Sequence, residues 1–469
     1  MALADDLERQ IRGGVYVPGD RLPSMRKLRG DRGVAMATVT TALRALERRG
    51  LVEARPRSGY FVSSLEPLGS PPVQRLRSRP RKVPLPHLAD EFVTASADPR
   101  LVPLGGTVLS PQLLPMRTLA RLVKDVVNRR PQLLGSYGPP SGDDVLRRQI
   151  ARRLLSLGLP ATADEVVVSA GCMDALRLAL SSRVRPGDTI AVESPAFFGL
   201  WPLFRALGVY AIEVPTDPER GLDVEALGRT MSQHSVRALV LTPCFHNPTG
   251  ACMSDDDKRT VARLARRHSV TVVEDDVYGD LHRGPRRPTP LAAVAHQAGI
   301  DADIAYCSSF SKTLAPGLRV GFVVPGHRLD AVRRLKLASA IASPGLNQRV
   351  VAEFLESGSY DRHLARLRQR LPGQVDRVLG CVRRFFPPGT RASRPRGGFV
   401  VWVHAGSVDT LELYERARAK GISFLPGPLC SADPSRYRKF LRLSCGFAVD
   451  DRIVSGLRRL GRLVHQMQR

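Results

Sequence analysis

From about residue 88 onward, short and nearly unbroken apolar runs alternate with amphipathic stretches. The runs are Val166-Val167-Val168, Thr189-Ile190-Ala191-Val192, Ala238-Leu239-Val240-Leu241, Val270-Thr271-Val272-Val273, Ile304-Ala305-Tyr306-Cys307 and Val320-Gly321-Phe322-Val323-Val324. They lack the polar alternation of a half-exposed strand, which points to a sheet covered on both faces. Helical periodicity fills most of the gaps, as from Asp255 to His268. This alternation predicts an α/β domain with a mostly parallel sheet over residues 88–469.

Residues 1–63 follow another rhythm. Leu3, Leu7 and Ile11 share one helical face, and Gly13-Gly14 ends that helix. Ser24 is a candidate cap for a second helix with Met25 and Leu28 inward. After a turn at Gly33, Val39, Leu43 and Leu46 repeat at i, i+4 and i+7 up to Gly50. Leu51-Val52-Glu53 and Tyr60-Phe61-Val62 then read as two strands around Arg55-Pro56-Arg57-Ser58-Gly59. Three helices followed by a basic hairpin predict a winged helix-turn-helix. Between the two parts, residues 64–87 carry six prolines, four arginines and a lysine without apolar periodicity. They predict an extended linker, stiffened by proline and solvated by charge.

Charge sharpens this picture only partly. The formal net charge of +27 favours a polyanionic partner, nucleic acid before membrane, although arginine is spread along the whole chain. The seven cysteines show no Cys-x-x-Cys pair and no metal-ligand spacing with histidine, so a reduced interior without zinc or disulfides is expected. The amino terminus is acidic and amphipathic, unlike a signal peptide. No apolar run approaches the roughly 20 residues that span a bilayer. A soluble, cytoplasmic protein, nucleoid-associated when bound to DNA, is the expectation.

The most informative stretch is Ser308-Ser309-Phe310-Ser311-Lys312-Thr313-Leu314-Ala315-Pro316-Gly317-Leu318-Arg319. A lysine follows an apolar strand in hydroxyl-rich surroundings, with an arginine seven positions on. A Schiff-base site for pyridoxal 5′-phosphate needs this set: an amine, hydroxyls to share the phosphate, and a guanidinium to offset its charge. Lysine is scarce in this arginine-rich chain, which argues against a chance basic loop. Upstream, Ser169-Ala170-Gly171-Cys172-Met173-Asp174 follows a strand and opens a helix, whose amides and dipole suit a phosphate.

The amino-terminal residues resemble the GntR family of bacterial regulators. The likeness rests on Pro18-Gly19-Asp20-Arg21-Leu22-Pro23-Ser24-Met25-Arg26, Gly33-Val34, Thr38-Val39, Ala42-Leu43, Leu46, Gly50-Leu51, Gly59 and Phe61-Val62. It implies that the third helix enters the major groove of an operator in double-stranded DNA, with Arg26, Arg55 and Arg57 at phosphates or groove edges. The family's usual hydroxyl and basic residues at the start of that helix are replaced by Ala35-Met36-Ala37. Base readout then falls to Thr38, Thr40, Thr41 and Arg44, or to DNA shape.

The remainder resembles a fold-type I aminotransferase with a large domain and a carboxy-terminal small subdomain. Its motifs arrive in that family's order, including Glu193-Ser194-Pro195-Ala196-Phe197-Phe198, Asn247-Pro248-Thr249-Gly250 and Val273-Glu274-Asp275-Asp276-Val277-Tyr278. The resemblance makes Lys312 the internal aldimine lysine and Asp275 the acid that holds a proton on the pyridine nitrogen. Tyr278 and Asn247 bond the phenolic oxygen, and Phe197 stacks on the ring. Gly171, Cys172, Met173, Ser309, Ser311 and Arg319 hold the phosphate. Tyr137, in Ser136-Tyr137-Gly138, matches the residue that reaches a neighbouring subunit's phosphate, so a homodimer is implied. Arg442, in Phe440-Leu441-Arg442-Leu443-Ser444, matches the clamp for a substrate or effector carboxylate. His246, Glu274, Asp276 and Asp280 read better as structural groups.

The fusion of these two parts resembles the MocR subfamily of regulators. It implies a transcription factor, a head-to-tail dimer, that senses pyridoxal phosphate or an amine or amino-acid metabolite through aldimine chemistry at Lys312. The competing expectation is a working aminotransferase with a vestigial DNA-binding domain.

Overall fold

The computed structural model describes residues 2–12, 15–48, 50–55, 58–63, 68–74, 76, 78–83 and 87–468. The turn at Gly13-Gly14 and the wing residue Arg57 therefore lie outside the described residues.

The amino-terminal unit contains helices Ala2–Arg12, Met25–Arg32 and Met36–Arg48, then an antiparallel hairpin of Val52–Arg55 and Gly59–Val62. Leu3, Leu7, Leu28, Val39, Leu43, Leu46 and Val62 form its buried core. Burying each such side chain contributes about 1.5–3 kcal/mol. The Ser24 hydroxyl caps the second helix by accepting from the Lys27 amide at 3.2 Å. That helix ends at Gly33, whose φ of 59° is the left-handed conformation that glycine adopts without cost.

The main sheet runs in the order Arg81–Lys82, Tyr210–Asp217, Thr189–Ser194, Val236–Leu241, Thr271–Asp275, Ile304–Ser309, Gly321–Val324, Val167–Ser169. The five central strands from Tyr210–Asp217 to Ile304–Ser309 are mutually parallel. Gly321–Val324 runs against both its neighbours. The sheet is thus mixed but mostly parallel, and each apolar run identified above lies on one of its strands. Helices cover both faces: Cys172–Ser181 and Leu200–Ala206 pack with one cluster, Val224–Gln233 and Asp255–His268 with another.

Tyr210–Asp217 was not anticipated. Glu213 and Pro215 break its apolar run, and the Glu213 carboxylate is instead buried against Ser194, Ser431 and Arg436.

A four-stranded sheet of Arg391–Ala392, Val400–His404, Phe440–Ser444 and Leu425–Pro426 forms a second layer near the carboxyl terminus. The helices Ser359–Phe385, Thr410–Ala419 and Asp451–Gln468 accompany it. Its core, around Trp402, Phe399, Tyr414 and Leu457, is continuous with that of helix Ser359–Phe385.

The linker is extended but not simply solvated. Arg81–Lys82 adds an antiparallel edge strand beside Tyr210–Ala211, and Arg81 pairs with Asp433 at 2.8 Å. The Ser78 hydroxyl donates to the Glu213 carbonyl at 3.0 Å, and the Gly69 carbonyl accepts from the Ala392 amide at 2.9 Å. Proline and charge kept this segment from reading as a strand, yet an edge position leaves one side of the backbone free of ladder bonds.

Candidate cofactor cleft and DNA-binding head

A parallel sheet collects its loops at the carboxyl ends of its strands, where α/β folds bind ligands. Asp275 is the last residue of Thr271–Asp275, and Lys312 follows Ile304–Ser309. Phe197 follows Thr189–Ser194, and Asn247 follows Val236–Leu241. Gly171 follows Val167–Ser169 and precedes helix Cys172–Ser181. One cleft results, lined by Cys172, Met173, Phe197, Asn247, Asp275, Tyr278, Ser309, Ser311, Lys312 and Arg319. Thr242 and Val277 also line it and were not singled out from sequence.

The Lys312 amine donates to the Thr107 carbonyl at 2.8 Å. Burial, with Arg442 adding like charge, lowers its pKa to about 8. Asp275 is pushed up to about 6 by burial, against the pull of the Cys172 thiol, which donates to its Oδ1 at 3.3 Å. Tyr278 is pushed up to about 12, again by burial. Its hydroxyl accepts from the Asn247 amide at 3.4 Å.

Arg442 is completely buried on strand Phe440–Ser444. One guanidinium nitrogen donates to Asn247 Oδ1 at 2.9 Å and another to the Gly105 carbonyl. Its Nε has no partner, and among the described residues no carboxylate pairs with it. A desolvated cation without a counter-ion is costly, and an incoming carboxylate would offset that cost.

The end of the cleft beside helix Cys172–Ser181 is built from backbone, two serines and Arg319. Gly171 has φ of 85°, and a Cβ there would stand 2.6 Å from the Arg319 guanidinium. Arg319 donates to the Ala170 carbonyl at 2.9 Å, which places it beside the start of helix Cys172–Ser181. The Ser309 hydroxyl accepts from the Ser311 amide at 3.4 Å.

Phe197 and Phe198 pack edge-on at 5.0 Å, but Phe198 continues edge-on against Phe92 at 5.3 Å, whereas Phe197 lines the cleft. Tyr137 is 83% exposed and does not line this chain's own cleft. The residues read as structural behave so. Glu274 accepts from the Leu291 and Ala292 amides, while Asp276 and Asp280 engage Arg287. His246 is buried between Thr249 at 2.8 Å and Glu193 at 3.4 Å, and burial drops its pKa to about 3.

On the head, Arg26, Thr38, Thr41 and Arg44 are exposed and Thr40 half-buried. The Thr40 and Thr41 hydroxyls donate to the carbonyls of Met36 and Ala37 at 3.0 and 2.8 Å. Their protons are thus committed to the helix, whereas Thr38 and Arg44 show no side-chain hydrogen bond among the described residues. Arg55 stacks on Phe61 at 4.3 Å and pairs with Glu53 at 2.7 Å.

Residues 112–454 match the family aminotransferase class I and II, and residues 2–62 match the gntR family of bacterial regulatory proteins. The HTH-type transcriptional regulator YjiR of Escherichia coli is 35% identical over 99% of this chain and 98% of its own. The chain belongs to the MocR subfamily. YdcR, another HTH-type regulator of Escherichia coli, is 32% identical with the same coverage. The 2-aminoadipate transaminase of Thermus thermophilus is 30% identical over 79% of this chain and 92% of that enzyme. The crystal structure of LysN from the same organism, complexed with N-(5′-phosphopyridoxyl)-L-leucine, superposes with a TM-score of 0.76 at 28% identity, covering 82% and 96%. This MocR chain therefore joins a GntR head to a fold-type I aminotransferase domain, whose cofactor is pyridoxal 5′-phosphate. The cleft fits that group: an amine of lowered basicity, a carboxyl opposite, and a phosphate cradle that only glycine leaves open.

Proposed function

We propose that this MocR chain is a pyridoxal-phosphate-binding transcriptional regulator whose aminotransferase-like domain senses the cofactor or an amino-acid-like amine. The observation that carries this reading is the joining of a cleft lined by Lys312, Asp275, Asn247 and Arg319 to a head with exposed Arg26, Thr38 and Arg44.

When bound, pyridoxal phosphate supplies an aldehyde that condenses with amines and a ring that accepts electrons. The chain's residues divide the work around it. Gly171, Cys172, Met173, Ser309, Ser311 and Arg319 would hold the phosphate, and Phe197 would lie on the ring face. Asp275 would keep a proton on the pyridine nitrogen, while Asn247 and Tyr278 bond the phenolic oxygen. Lys312 is the attachment amine, and Arg442 takes the effector's carboxylate. The exposure of Tyr137 suits insertion at a neighbour's phosphate, which makes a homodimer, head-to-tail as in the subfamily, the working unit.

Helix Ser359–Phe385 supports communication between cleft and head. Near its start, Tyr360 and His363 bond the hydroxyl and carbonyl of Thr313 at 2.7 and 2.9 Å, next to Lys312. Near its end, Arg383 donates to the Gly50 carbonyl of the head. The two ends span about 35 Å at 1.5 Å per residue. A change at Lys312 that shifts this helix would reposition the head.

The test is titration of the full chain onto DNA upstream of its own gene, with and without pyridoxal phosphate at fixed salt. Tight, competitor-resistant binding that changes with cofactor supports the reading. Binding equal to that of random DNA and blind to cofactor overturns it. A second reading, transamination, is favoured by the lowered pKa of Lys312 and the unpaired Arg442. Steady turnover with a common amino acid would establish it.

A further inference from the structure

The Asn247 turn is closed by two cysteines. Cys244 and Cys252 face each other as an antiparallel bridge pair. The bridge is flanked by Met253 N–H donating to the Pro243 carbonyl at 2.9 Å and His246 N–H donating to the Ala251 carbonyl at 2.8 Å. Directly opposed antiparallel residues have Cα atoms roughly 4.5–5.5 Å apart. Disulfides span Cα separations of roughly 4.4–6.8 Å. Both thiols are free, Cys244 buried and Cys252 half-buried.

We propose that Cys244 and Cys252 are a redox-active dithiol that a hydroperoxide converts to a disulfide across the turn bearing Asn247. Cys252 is the half that solvent reaches. The Cys244 thiol donates to the Thr289 carbonyl at 4.0 Å and the Cys252 thiol to the Met253 carbonyl at 3.9 Å, and the neighbouring Cys244 thiol lowers the pKa of Cys252, making it the more acidic of the two. The Lys258 ammonium and the Phe245 amide act in the same direction. Each of the other six cysteines is instead shifted upward, chiefly by burial or, for Cys244, by the neighbouring Cys252 thiol. Lys258 itself is buried, its ammonium donating to the Thr289 carbonyl at 2.7 Å and Asp255 at 3.3 Å. A fixed cation thus stands beside the pair.

The Cys252 thiolate attacks the peroxide oxygen, the O–O bond breaks, and Cys252 becomes a sulfenic acid as the alkoxide or hydroxide leaves with a proton. The Cys244 sulfur then attacks Cys252, the S–O bond breaks, and the departing hydroxide takes the Cys244 proton as water. Two thiols lose two electrons and the peroxide gains them. An external dithiol reverses the change. The cross-link would pin the turn whose Asn247 bonds both Tyr278 and Arg442. This consequence rests on the cofactor reading above, whereas the disulfide itself does not.

Arg237 and Lys258 bracket the pair, so trypsin releases both cysteines on one peptide. The experiment treats the full chain, with and without pyridoxal phosphate, with stoichiometric hydrogen peroxide, then alkylates, digests and weighs the peptides. The expected result is loss of two hydrogens and of both alkyl groups from that peptide before any other cysteine reacts, restored by dithiothreitol. A Cys244→Ser chain should hold Cys252 as a sulfenic acid trapped by dimedone. Full alkylation of both cysteines after peroxide, or prior oxidation of Cys172 or Cys381, would overturn the proposal. A cross-link that forms while cofactor release stays unchanged would overturn its link to the cleft.

Discussion

The Tyr360 hydroxyl lies 2.7 Å from that of Thr313, the residue after Lys312, on the helix that also carries Arg383 to the head. The two contacts stand at opposite ends of one helix, interrupted only by Pro372 near its middle, so they are the places to separate sensing from DNA binding. Arg383→Ala removes the Gly50 contact without touching the cleft. Cofactor absorbance should stay as in the parent chain while operator affinity loses its response to pyridoxal phosphate. That response, as an allosteric coupling, is of the order of 1–3 kcal/mol. Anisotropy titrations with and without cofactor measure both.

Lys312 makes a pH prediction. Only the neutral amine attacks an aldehyde, and burial holds this amine at about 8 instead of the ordinary value near 10.5. The rate of covalent capture of pyridoxal phosphate should therefore rise through pH 8 and flatten above it. The sign for stability follows from proton counts. Between about 8 and 10.5 the unfolded chain binds a proton at this lysine that the folded apo chain does not. Apo stability gains from this group as pH rises through that window. Stopped-flow absorbance and urea melts check the two statements, and Lys312→Ala should abolish both effects.

Asp275→Asn tests the opposite end of the ring. A hydrogen bond to a charged group contributes about 1.5–3 kcal/mol. Cofactor dissociation should accelerate about ten- to a hundredfold, with the Lys312 linkage still forming. Gly171→Ala should weaken phosphate retention instead, because the new Cβ meets Arg319 and the backbone sits at φ of 85°.

On the head, the committed protons of Thr40 and Thr41 make Arg44 the residue to change. Arg44→Ala should cost about 1–3 kcal/mol at a particular operator base pair. Thr41→Ala should cost less. Arg26→Ala should weaken all sequences alike and flatten the salt dependence. Competition against point-mutated operators distinguishes these outcomes.

Most of this architecture was legible because buried parallel strands are written as continuous apolar runs, and because the cleft residues sit immediately after them. Lys312 stood out from its local context, whereas Asn247 and Asp275 were singled out through the resemblance to aminotransferase motifs. The partners that hold them carried no such signal. The Thr107 carbonyl that meets Lys312 comes from backbone 205 residues away and has no side-chain signature. The Arg442–Asn247 bond joins positions 195 apart. The Cys172–Asp275 contact joins positions 103 apart. Tyr210–Asp217 was hidden because its buried Glu213 is satisfied by tertiary partners that no window of sequence contains.

The most direct measurement is operator affinity of the parent chain and of Lys312→Ala, each with and without pyridoxal phosphate, at one salt concentration. The account predicts that cofactor changes the parent's affinity by five-fold or more (about 1 kcal/mol) and leaves the variant's unchanged. Equal affinities in all four conditions would contradict it.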